Sequence, residues 1–234
     1  AVGGFIRFWN LAEPHKLVFD ETYYVKQGWS MLLFGFEMRN DPILNAAHRV
    51  DENFTVVPLI DPRTVFGNDA DFVVHPPVGK WLIGWGENLF GIENSFGWRF
   101  SVCVMGTLSI LMVGRAAYRL FGSWYLATLA SALLAFEGHH FVHSRTGLLD
   151  LIVMFFALAA FCALLIDRDR SRALLARKLA HTPPGRIEGS GPWLGLRPWR
   201  WVAGISLGLA TGTKWSGLYF LVAFGLMTVF WDMG

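Results

Sequence analysis

The acidic pair Asp20-Glu21 is the feature of this sequence most suited to chemistry. It lies where an apolar N-terminal stretch gives way to a helical pattern. Aspartate is preferred at a helix N-cap, and Glu21 would favour the positive end of the helix dipole. A carboxylate at the boundary between water and lipid can also act as a general base toward a hydroxyl group. The two roles are compatible, and the sequence leaves both open.

Three basic residues are candidates to bind an anion near this pair: Lys80, Arg99 and Lys214. Arg99 lies near the outer start of an apolar run, where a long side chain can also simply extend back to the membrane surface. Lys214 lies about 13 residues into the last apolar stretch, on the order of 20 Å along a helix, where an unpaired ammonium is costly. We therefore expect it to contact an anionic lipid headgroup such as a polyprenyl phosphate.

Further polar residues cluster around one turn in the middle of the chain. His139 and His143 have the i, i+4 spacing of helical metal ligands, but the sequence identifies no third ligand, and interfacial packing is the default interpretation. We expect Glu137 to form an ion pair that orients two helices. Arg145 and Asp150 belong to the same cluster and are kept as candidate site residues.

The composition describes a membrane protein. Hydrophobic residues make up 53% of the chain, charged residues only 16%, and the mean hydropathy is +0.39, which is too apolar for an ordinary water-soluble domain. Cys103 and Cys162 both fall in apolar runs, where a free thiol packs as a small hydrophobe. We therefore predict an all-α polytopic membrane protein.

Apolar runs place the membrane spans. They lie at about Phe96–Phe121, Trp124–Gly138 and Leu148–Ile166, with a glycine-interrupted segment at about Trp201–Phe230. The stretch from Ala1 to Trp9 is too short to cross a bilayer, so we expect the chain to begin near the outer end of a further transmembrane helix. In the last segment a glycine at every fourth position, at 204, 208 and 212, predicts close helix packing.

Charge sets the orientation of these spans. Residues 10–95 have a net charge of −6, whereas residues 167–200 have a net charge of +5. Basic loops stay in the cytoplasm, so residues 167–200 are predicted to be a cytoplasmic loop. Three crossings back, residues 10–95 are predicted to lie outside, which divides the chain into an outer segment (10–95), three spans (96–166), the basic loop (167–200) and a last membrane segment (201–234).

Two stretches of the outer segment have helical periodicity. The first has an apolar face of Val25, Trp29, Leu32, Leu33 and Phe36. The second begins at Pro76-Pro77 and has an apolar face of Val78, Trp81, Leu82, Trp85 and Leu89. We predict two amphipathic helices lying on the membrane surface, with Lys80 and Glu87 turned away from the apolar face of the second. Residues 39–71 between them are predicted to be irregular loop.

Five motifs in a fixed order resemble those of one family. They are Phe19-Asp20-Glu21-Thr22-Tyr23-Tyr24-Val25-Lys26, Val74-His75-Pro76-Pro77-Val78-Gly79-Lys80-Trp81-Leu82-Ile83, Trp98-Arg99-Phe100, Ser144-Arg145-Thr146-Gly147-Leu148-Leu149-Asp150 and Gly212-Thr213-Lys214-Trp215-Ser216-Gly217-Leu218. The chain is similar to the protein O-mannosyltransferases, polytopic enzymes of the GT-C class, and most closely to their actinobacterial members. The His-Pro-Pro-x-Gly-Lys run is the most specific of the five.

The resemblance implies an inverting transfer of mannose from polyprenyl phosphate mannose to Ser or Thr hydroxyls of exported proteins. It implies that Asp20 is the catalytic carboxylate with Glu21 as its companion, and that Arg99 and Lys214 hold the donor phosphate. His75 and Lys80 match a second loop motif whose role stays open. It further implies a multi-pass protein of the plasma membrane, with a GT-C-like helix bundle and an extracytoplasmic active site.

No cofactor is assigned. A divalent metal occurs in some GT-C relatives, but no residue here is proposed to bind one. The expected partners are the lipid-linked donor, a Ser- or Thr-containing exported polypeptide and membrane lipid, with no nucleic acid. Full-length members of the family continue through several more transmembrane helices. We therefore expect the chain to be the N-terminal part of the catalytic module and to be inactive in isolation.

Two other interpretations stay open at this point. A different GT-C enzyme could transfer a polyprenyl-linked sugar to a lipid or glycan, although the His-Pro-Pro-x-Gly-Lys segment would then be unexpected. A transporter or lipid-binding protein could use Lys214 and Asp150 to line a substrate path. Such a transporter should show inverted repeats in its hydropathy, and the sequence shows none.

Overall fold

The computed structural model describes residues 1–40, 66–181 and 192–233. This part of the chain is mostly helical. Its helices are α1 (Val2–Phe8), α2 (Glu21–Phe34), α3 (Val78–Phe90), α4 (Ser95–Phe121), α5 (Trp124–Phe136), α6 (Gly138–His143), α7 (Leu149–Ala180), α8 (Pro198–Thr211) and α9 (Gly217–Met233). Its strands are β1 (Met38–Asn40) and β2 (Phe66–Ala70).

Helices α4 and α7 form the centre of the bundle. They contain 27 and 32 residues, which correspond to lengths of about 40 Å and about 48 Å. Both are long and apolar enough to cross a membrane, whereas α5 and α9 are apolar but shorter. The two long helices share a core that includes Val102 and Ile152, both fully buried.

Helix α7 extends well beyond the span predicted from hydropathy. The predicted cytoplasmic loop was to begin at Asp167, but the helix continues to Ala180. No glycine or proline interrupts residues 166–181, so nothing in the sequence stops the helix where the apolar run ends. The charges are also accommodated, because Asp167 pairs with Arg197 and Asp169 pairs with Arg119. Residues 182–191 of the predicted loop lie outside the described part of the chain.

The last apolar stretch is a hairpin of two helices, where the sequence predicted one interrupted segment. Helices α8 and α9 are joined by the turn at residues 212–216. Arg197 before α8 lies 3.1 Å from Asp232 near the end of α9, so the start of α8 and the end of α9 are in contact. A side chain at Gly217 would overlap the backbone of Thr211, so this tight turn requires glycine there.

The predicted close packing of the spaced glycines holds at one position only. A Cβ atom at Gly212 would lie 2.9 Å from Cγ2 of Val78, which is a close approach. At Gly204 and Gly208 a Cβ atom would meet nothing within 4 Å. The expectation was therefore wrong for these two residues, because the described helices leave that face of α8 uncovered.

Helices α2 and α3 cross at two glycines. A Cβ atom at Gly28 would lie 2.7 Å from the carbonyl oxygen of Lys80, and one at Gly84 would lie 2.6 Å from the carbonyl oxygen of Gly28. This contact decides which face of α3 is buried. Lys80 and Glu87 are both fully buried, although the sequence predicted that they would point away from the packed face. The close approach that glycine allows outweighs the polarity of its helical neighbours.

The opposite face of α3 is exposed and apolar. Trp81, Trp85 and Leu89 are 44%, 61% and 69% exposed. The predicted apolar face of α3 is thus present but turned away from the protein. In α2 the buried positions include Tyr24 and Val25, so that helix packs against protein along much of its length.

The described part of the chain is not purely helical. The outer segment predicted to be irregular begins and ends in a two-stranded antiparallel sheet, in which β1 pairs with β2 and Met38 lies opposite Ala70. Ser30 of α2 accepts a hydrogen bond from the Met38 backbone N–H at 3.1 Å, which ties the sheet to that helix. Residues 41–65 of the predicted loop lie outside the described part.

Candidate active site

Three turns of the chain meet at the end of the bundle where α7 begins. The Val78 backbone N–H, at the start of α3, donates to the carbonyl oxygen of Gly212 at 2.9 Å. Gly79 is packed so closely that a Cβ atom there would lie 2.6 Å from Leu149 and 2.7 Å from Thr213. The segment before α3, the first turn of α7 and the turn after α8 are therefore locked together. They carry His75, Asp150 and Lys214 respectively.

Asp20 stands at the N-cap position of α2, but its side chain makes no capping hydrogen bond. The carboxylate instead accepts a long hydrogen bond of 3.4 Å from the hydroxyl of Tyr24. Phe19 before it adopts a left-handed backbone conformation with φ of 53°, which is uncommon for a bulky residue and occurs preferentially at functional sites. The Asp20 carboxylate is therefore not occupied by capping the helix and is available to act as a base.

The rings of Tyr24 and His75 are neighbours, with their centroids 6.1 Å apart. Burial, followed by the negative charges of Asp20 and Asp150, raises the pKa of Tyr24 to about 12. Burial, followed by the positive charge of Lys214, lowers the pKa of His75. Both rings are therefore neutral near pH 7. The charges of Asp20 and Asp150 affect the pKa of both rings, and the charge of Lys214 affects that of His75.

Lys214 forms an ion pair with Asp150 at 2.8 Å. Its place differs from the one expected, because it lies in the turn between α8 and α9 and not partway along a transmembrane helix. The side chains of Lys214 and Asp150 are 27% and 52% exposed. Solvent-accessible pairs of this kind contribute little to stability, so an anion can replace Asp150 as the partner of the ammonium group at a small cost in free energy.

Glu21, the neighbour of Asp20 in the sequence, is fully buried. Its carboxylate accepts two hydrogen bonds of 2.9 Å from Nε and Nη2 of Arg99. It also accepts the backbone N–H of Gly147 at 2.7 Å and that of Val18 at 2.9 Å. Every lone-pair direction of this buried charge is directed at a protein donor, so Glu21 joins α2 to α4 and to the turn before α7.

Arg99 is equally enclosed, with 1% of its surface exposed. Besides Glu21, its guanidinium donates to a series of carbonyl oxygens in the segment before α2: Leu11, Ala12, Pro14 and Lys16. All three guanidinium nitrogens are occupied inside the protein. This arrangement does not favour the expected contact of Arg99 with a lipid phosphate, because no donor is left for an external group.

Lys80 and Arg145 also hold the backbone in place. The ammonium of Lys80 donates to Glu37 at 3.1 Å and to the carbonyl oxygen of His75 at 3.0 Å, so it orders the segment that carries His75. Arg145 donates to carbonyl oxygens at the end of α1 and just beyond it: Ile6, Arg7, Trp9 and Asn10. Neither side chain is directed at the group formed by Asp20, His75, Asp150 and Lys214.

Glu137 caps a helix, contrary to the ion pair expected for it. Its carboxylate accepts the backbone N–H groups of His139 and His140 at the start of α6, which lowers its pKa. The rings of His139 and His143 lie 4.2 Å apart. Among residues 1–40, 66–181 and 192–233, no group of three His, Cys, Asp or Glu side chains is arranged to hold a metal ion.

Comparison with known proteins gives the site its context. A family profile described as "Dolichyl-phosphate-mannose-protein mannosyltransferase" matches residues 66–233. The chain belongs to this family. The resemblance inferred from the five motifs is thereby confirmed, and the mannosyltransferases of the family are membrane-bound enzymes, in keeping with the two membrane-length helices α4 and α7.

Relatives in the mannosyltransferase family match almost the whole chain. The chain is 40% identical over 237 residues to the polyprenol-phosphate-mannose–protein mannosyltransferase of Mycolicibacterium smegmatis, covering 99% of the chain and 40% of that protein. Proteins of the same name in Mycobacterium tuberculosis and Corynebacterium glutamicum are 38% and 37% identical, over 98% and 92% of the chain and 38% and 37% of their own lengths. The chain thus spans about 40% of the length of these relatives.

Tyr24 of the candidate site was not predicted from the sequence. The signal was present, because residues four apart on a helix are neighbours and Tyr24 follows Asp20 by four. Glu37, the partner of Lys80, was also missed, since its pairing depends on how α2 crosses α3.

Proposed function

We propose that this chain carries the donor site of an enzyme that transfers mannose from polyprenyl phosphate mannose to Ser or Thr hydroxyls of exported proteins. The observation that carries the proposal is the Asp20 carboxylate. It is free of the helix cap and is close enough to His75 to act on that ring electrostatically, as are Asp150 and Lys214, in a chain that belongs to the mannosyltransferase family. The names of the most similar relatives supply the donor and the acceptor class.

In the proposed mechanism Asp20 is the general base. It takes the proton of the acceptor hydroxyl as that oxygen attacks the anomeric carbon of mannose. The bond from that carbon to the phosphate oxygen breaks, and the polyprenyl phosphate leaves with the electron pair. A single displacement inverts the configuration of the sugar, as in inverting glycoside hydrolysis with a protein hydroxyl in place of water.

Lys214 is the proposed contact of the donor phosphate. A phosphate leaving group needs charge stabilisation more than protonation, so a fixed ammonium is suited to the task. Asp150 would hold Lys214 in position before the donor binds. Because the pair is half-exposed and weak, Lys214 could then exchange Asp150 for the donor phosphate.

His75 is proposed to bind the substrate as a neutral ring. Its Nδ1 is buried and has no hydrogen-bond partner among the described residues. A buried polar atom without a partner is uncommon, and a bound ligand is one way to satisfy it. The lowered pKa of His75 keeps the ring uncharged, so it would offer a hydrogen bond to the sugar or the phosphate without competing with Lys214.

We further propose the membrane arrangement predicted from charge: a multi-pass protein of the plasma membrane with its active site on the extracytoplasmic side. The exposed apolar face of α3, with Trp81, Trp85 and Leu89, would lie at the lipid headgroups, where tryptophan is favoured. In this arrangement the proposed site would lie next to the layer in which a lipid-linked donor holds its phosphate.

An assay of isolated membranes that contain the protein tests the proposed function. Radiolabelled polyprenyl phosphate mannose is supplied with a peptide rich in Ser and Thr. We expect label in the peptide, released by β-elimination, with an anomeric configuration opposite to that of the donor. Label that appears only in a lipid or glycan fraction would contradict protein O-mannosylation and favour a different GT-C activity.

A further inference from the structure

A second cluster of charged side chains lies at the opposite end of α7 from Asp150. It surrounds a cavity of about 310 Å³ between α7, the start of α8 and the end of α9. Arg172, which lines this cavity, follows Asp150 by 22 residues on the same helix, a separation of about 33 Å. The cavity is therefore separate from the proposed mannosyl transfer site.

The lining of the cavity carries an excess of positive charge. Four arginines line it against two aspartates: Arg168, Arg172, Arg197 and Arg200 against Asp167 and Asp232. The buried carboxylate of Asp167 accepts hydrogen bonds from Arg197 at 3.0 Å and Arg200 at 3.1 Å, and Asp232 contacts the same two arginines. These pairs fix two guanidinium groups at the rim.

Two of the lining arginines take no part in these pairs. Arg168 binds Asp169 at 2.9 Å instead, whereas Arg172 has no hydrogen bond and no ion pair within residues 1–40, 66–181 and 192–233. Ser171 beside it adds a hydroxyl to the lining. A cavity lined by one unpaired guanidinium and two fixed ones is suited to a phosphate group, which accepts several charge-assisted hydrogen bonds.

Apolar side chains form most of the remaining lining of the cavity, together with Thr228. Leu164 and Leu175 of α7 and Trp231 of α9 line it, and the guanidinium of Arg168 lies 5.2 Å from the centroid of the Trp231 ring. A small soluble anion would gain nothing from these walls. A lipid would, because its acyl chains follow the apolar helices while its headgroup occupies the charged end. The volume equals that of about ten water molecules, which accommodates a phosphoglycerol headgroup.

We propose that this cavity binds the headgroup phosphate of an anionic phospholipid. Basic pockets between membrane helices on the cytoplasmic side are typical sites for such headgroups. The assignment of the cavity to the cytoplasmic leaflet depends on the proposed membrane orientation, whereas the binding itself does not depend on the mannosyl transfer reaction.

Native mass spectrometry of the protein from lipid nanodiscs tests the proposal. The protein is reconstituted in phosphatidylcholine with increasing fractions of phosphatidylglycerol, and retained lipids are counted. We expect retention of one phosphatidylglycerol molecule in preference to phosphatidylcholine. Arg172→Gln should weaken this preference about fivefold, and Arg172→Lys should keep most of it. The matched control is Arg177→Gln, which removes an exposed arginine from α7 that does not line the cavity.

Each result is decisive for the proposal. An equal preference in the wild-type protein and Arg172→Gln would overturn it, as would an equal loss in Arg177→Gln, because the attraction would then be a general effect of charge. Arg172 is exposed and unpaired in the described structure, so its replacement should not alter folding. A thermal shift caused by inorganic phosphate alone, equal to that caused by phosphatidylglycerol, would show that the ligand is a free anion and would also overturn the lipid assignment.

Discussion

Asp20 and Glu21 are neighbours in the sequence with different surroundings in the structure. The Asp20 carboxylate is partly exposed and has one long hydrogen bond, whereas Glu21 is buried and accepts four. Glu21 holds the start of α2 in place, and this fixes the backbone that carries Asp20. We therefore propose that Asp20 acts as the base and that Glu21 positions it, with Lys214 as the proposed contact of the donor phosphate.

Replacing Lys214 tests its role toward the donor. Lys214→Gln should lower kcat/KM for polyprenyl phosphate mannose by about 10-fold to 100-fold, because a charge-assisted hydrogen bond to the phosphate is lost. The melting temperature should change little, since its ion pair with Asp150 is half-exposed. Lys214→Arg is the matched control and should keep most of the activity. An unchanged dependence of rate on donor concentration in Lys214→Gln would exclude the phosphate contact.

At the scale of elements, buried polar links and close glycine contacts determine how the helices meet. The Glu21–Arg99 pair connects α2, α4 and the segment before α2, and Lys80 connects α3 to Glu37. Gly28 and Gly84 let α2 and α3 approach until their backbones touch. The candidate site depends on these links, because each of its side chains comes from a different turn at the end of the bundle.

Breaking the Glu21–Arg99 pair should destabilise the protein strongly. Glu21→Gln leaves the fully buried guanidinium of Arg99 without its counter-charge, which typically costs about 3–5 kcal/mol. Thermal unfolding in detergent measures the loss. Glu93→Gln, which alters an exposed glutamate just before α4, is the control and should leave the melting temperature unchanged. Equal melting temperatures for Glu21→Gln and the wild type would show that the pair does not hold these elements together.

The glycine crossing can be tested in the same way. Gly28→Val should separate α2 from α3, because a Cβ atom at this position would lie 2.7 Å from a backbone oxygen that cannot move aside. We expect a loss of about 1–3 kcal/mol or more and reduced transfer activity. Gly204→Ala, at a position with open space, is the control and should be neutral or slightly stabilising. A Gly28→Val protein as stable as the Gly204→Ala protein would contradict the described crossing.

At the scale of the whole molecule, the bundle has two charged ends with different character. One end carries Asp20, His75, Asp150 and Lys214, and the other carries the arginine-lined cavity between α7 and α9. Apolar helices α4 and α7 separate them by a distance that matches the hydrocarbon thickness of a bilayer. We therefore propose that the mannosyl transfer and the lipid contact occur at opposite faces of the membrane.

Cysteine labelling in intact cells tests this orientation. Phe72→Cys and Leu196→Cys are introduced at positions that are 82% and 87% exposed, in a protein whose Cys103 and Cys162 are replaced by alanine. A membrane-impermeant maleimide should label Phe72→Cys in intact cells, and Leu196→Cys only after permeabilisation. Labelling of both residues in intact cells, or the reverse pattern, would contradict the proposed topology.

Much of this arrangement was predictable from the sequence, and the exceptions have identifiable causes. Hydropathy predicted the bounds of α4 to within one residue, and the motifs indicated the family. Polarity alone could not show that Lys80 and Glu87 are buried, because glycine contacts with α2 decide that face. Likewise, hydropathy does not show where an apolar stretch of chain reverses direction. Lys214 was therefore expected within a helix, whereas it lies in the turn between α8 and α9.

The predicted contact of Arg99 with a lipid phosphate also depended on a feature that the sequence does not show, the direction of its side chain. An arginine at the start of an apolar helix faces either lipid or protein, and sequence does not distinguish the two. In the structure the segment before α2 folds over it and supplies four carbonyl acceptors. That segment has no periodic pattern, so its path is set by tertiary contacts that local sequence does not encode.

The central claim is that the carboxylate of Asp20 removes the proton of the acceptor hydroxyl. Its most direct test is the rate of mannosyl transfer to a Ser/Thr peptide by Asp20→Asn, compared with the wild type and with Asp69→Asn, which alters an exposed carboxylate on β2. We predict that Asp20→Asn loses transfer by about 100-fold to 10,000-fold while donor binding and the melting temperature stay normal, and that Asp69→Asn is fully active. Transfer by Asp20→Asn at the wild-type rate would contradict the claim.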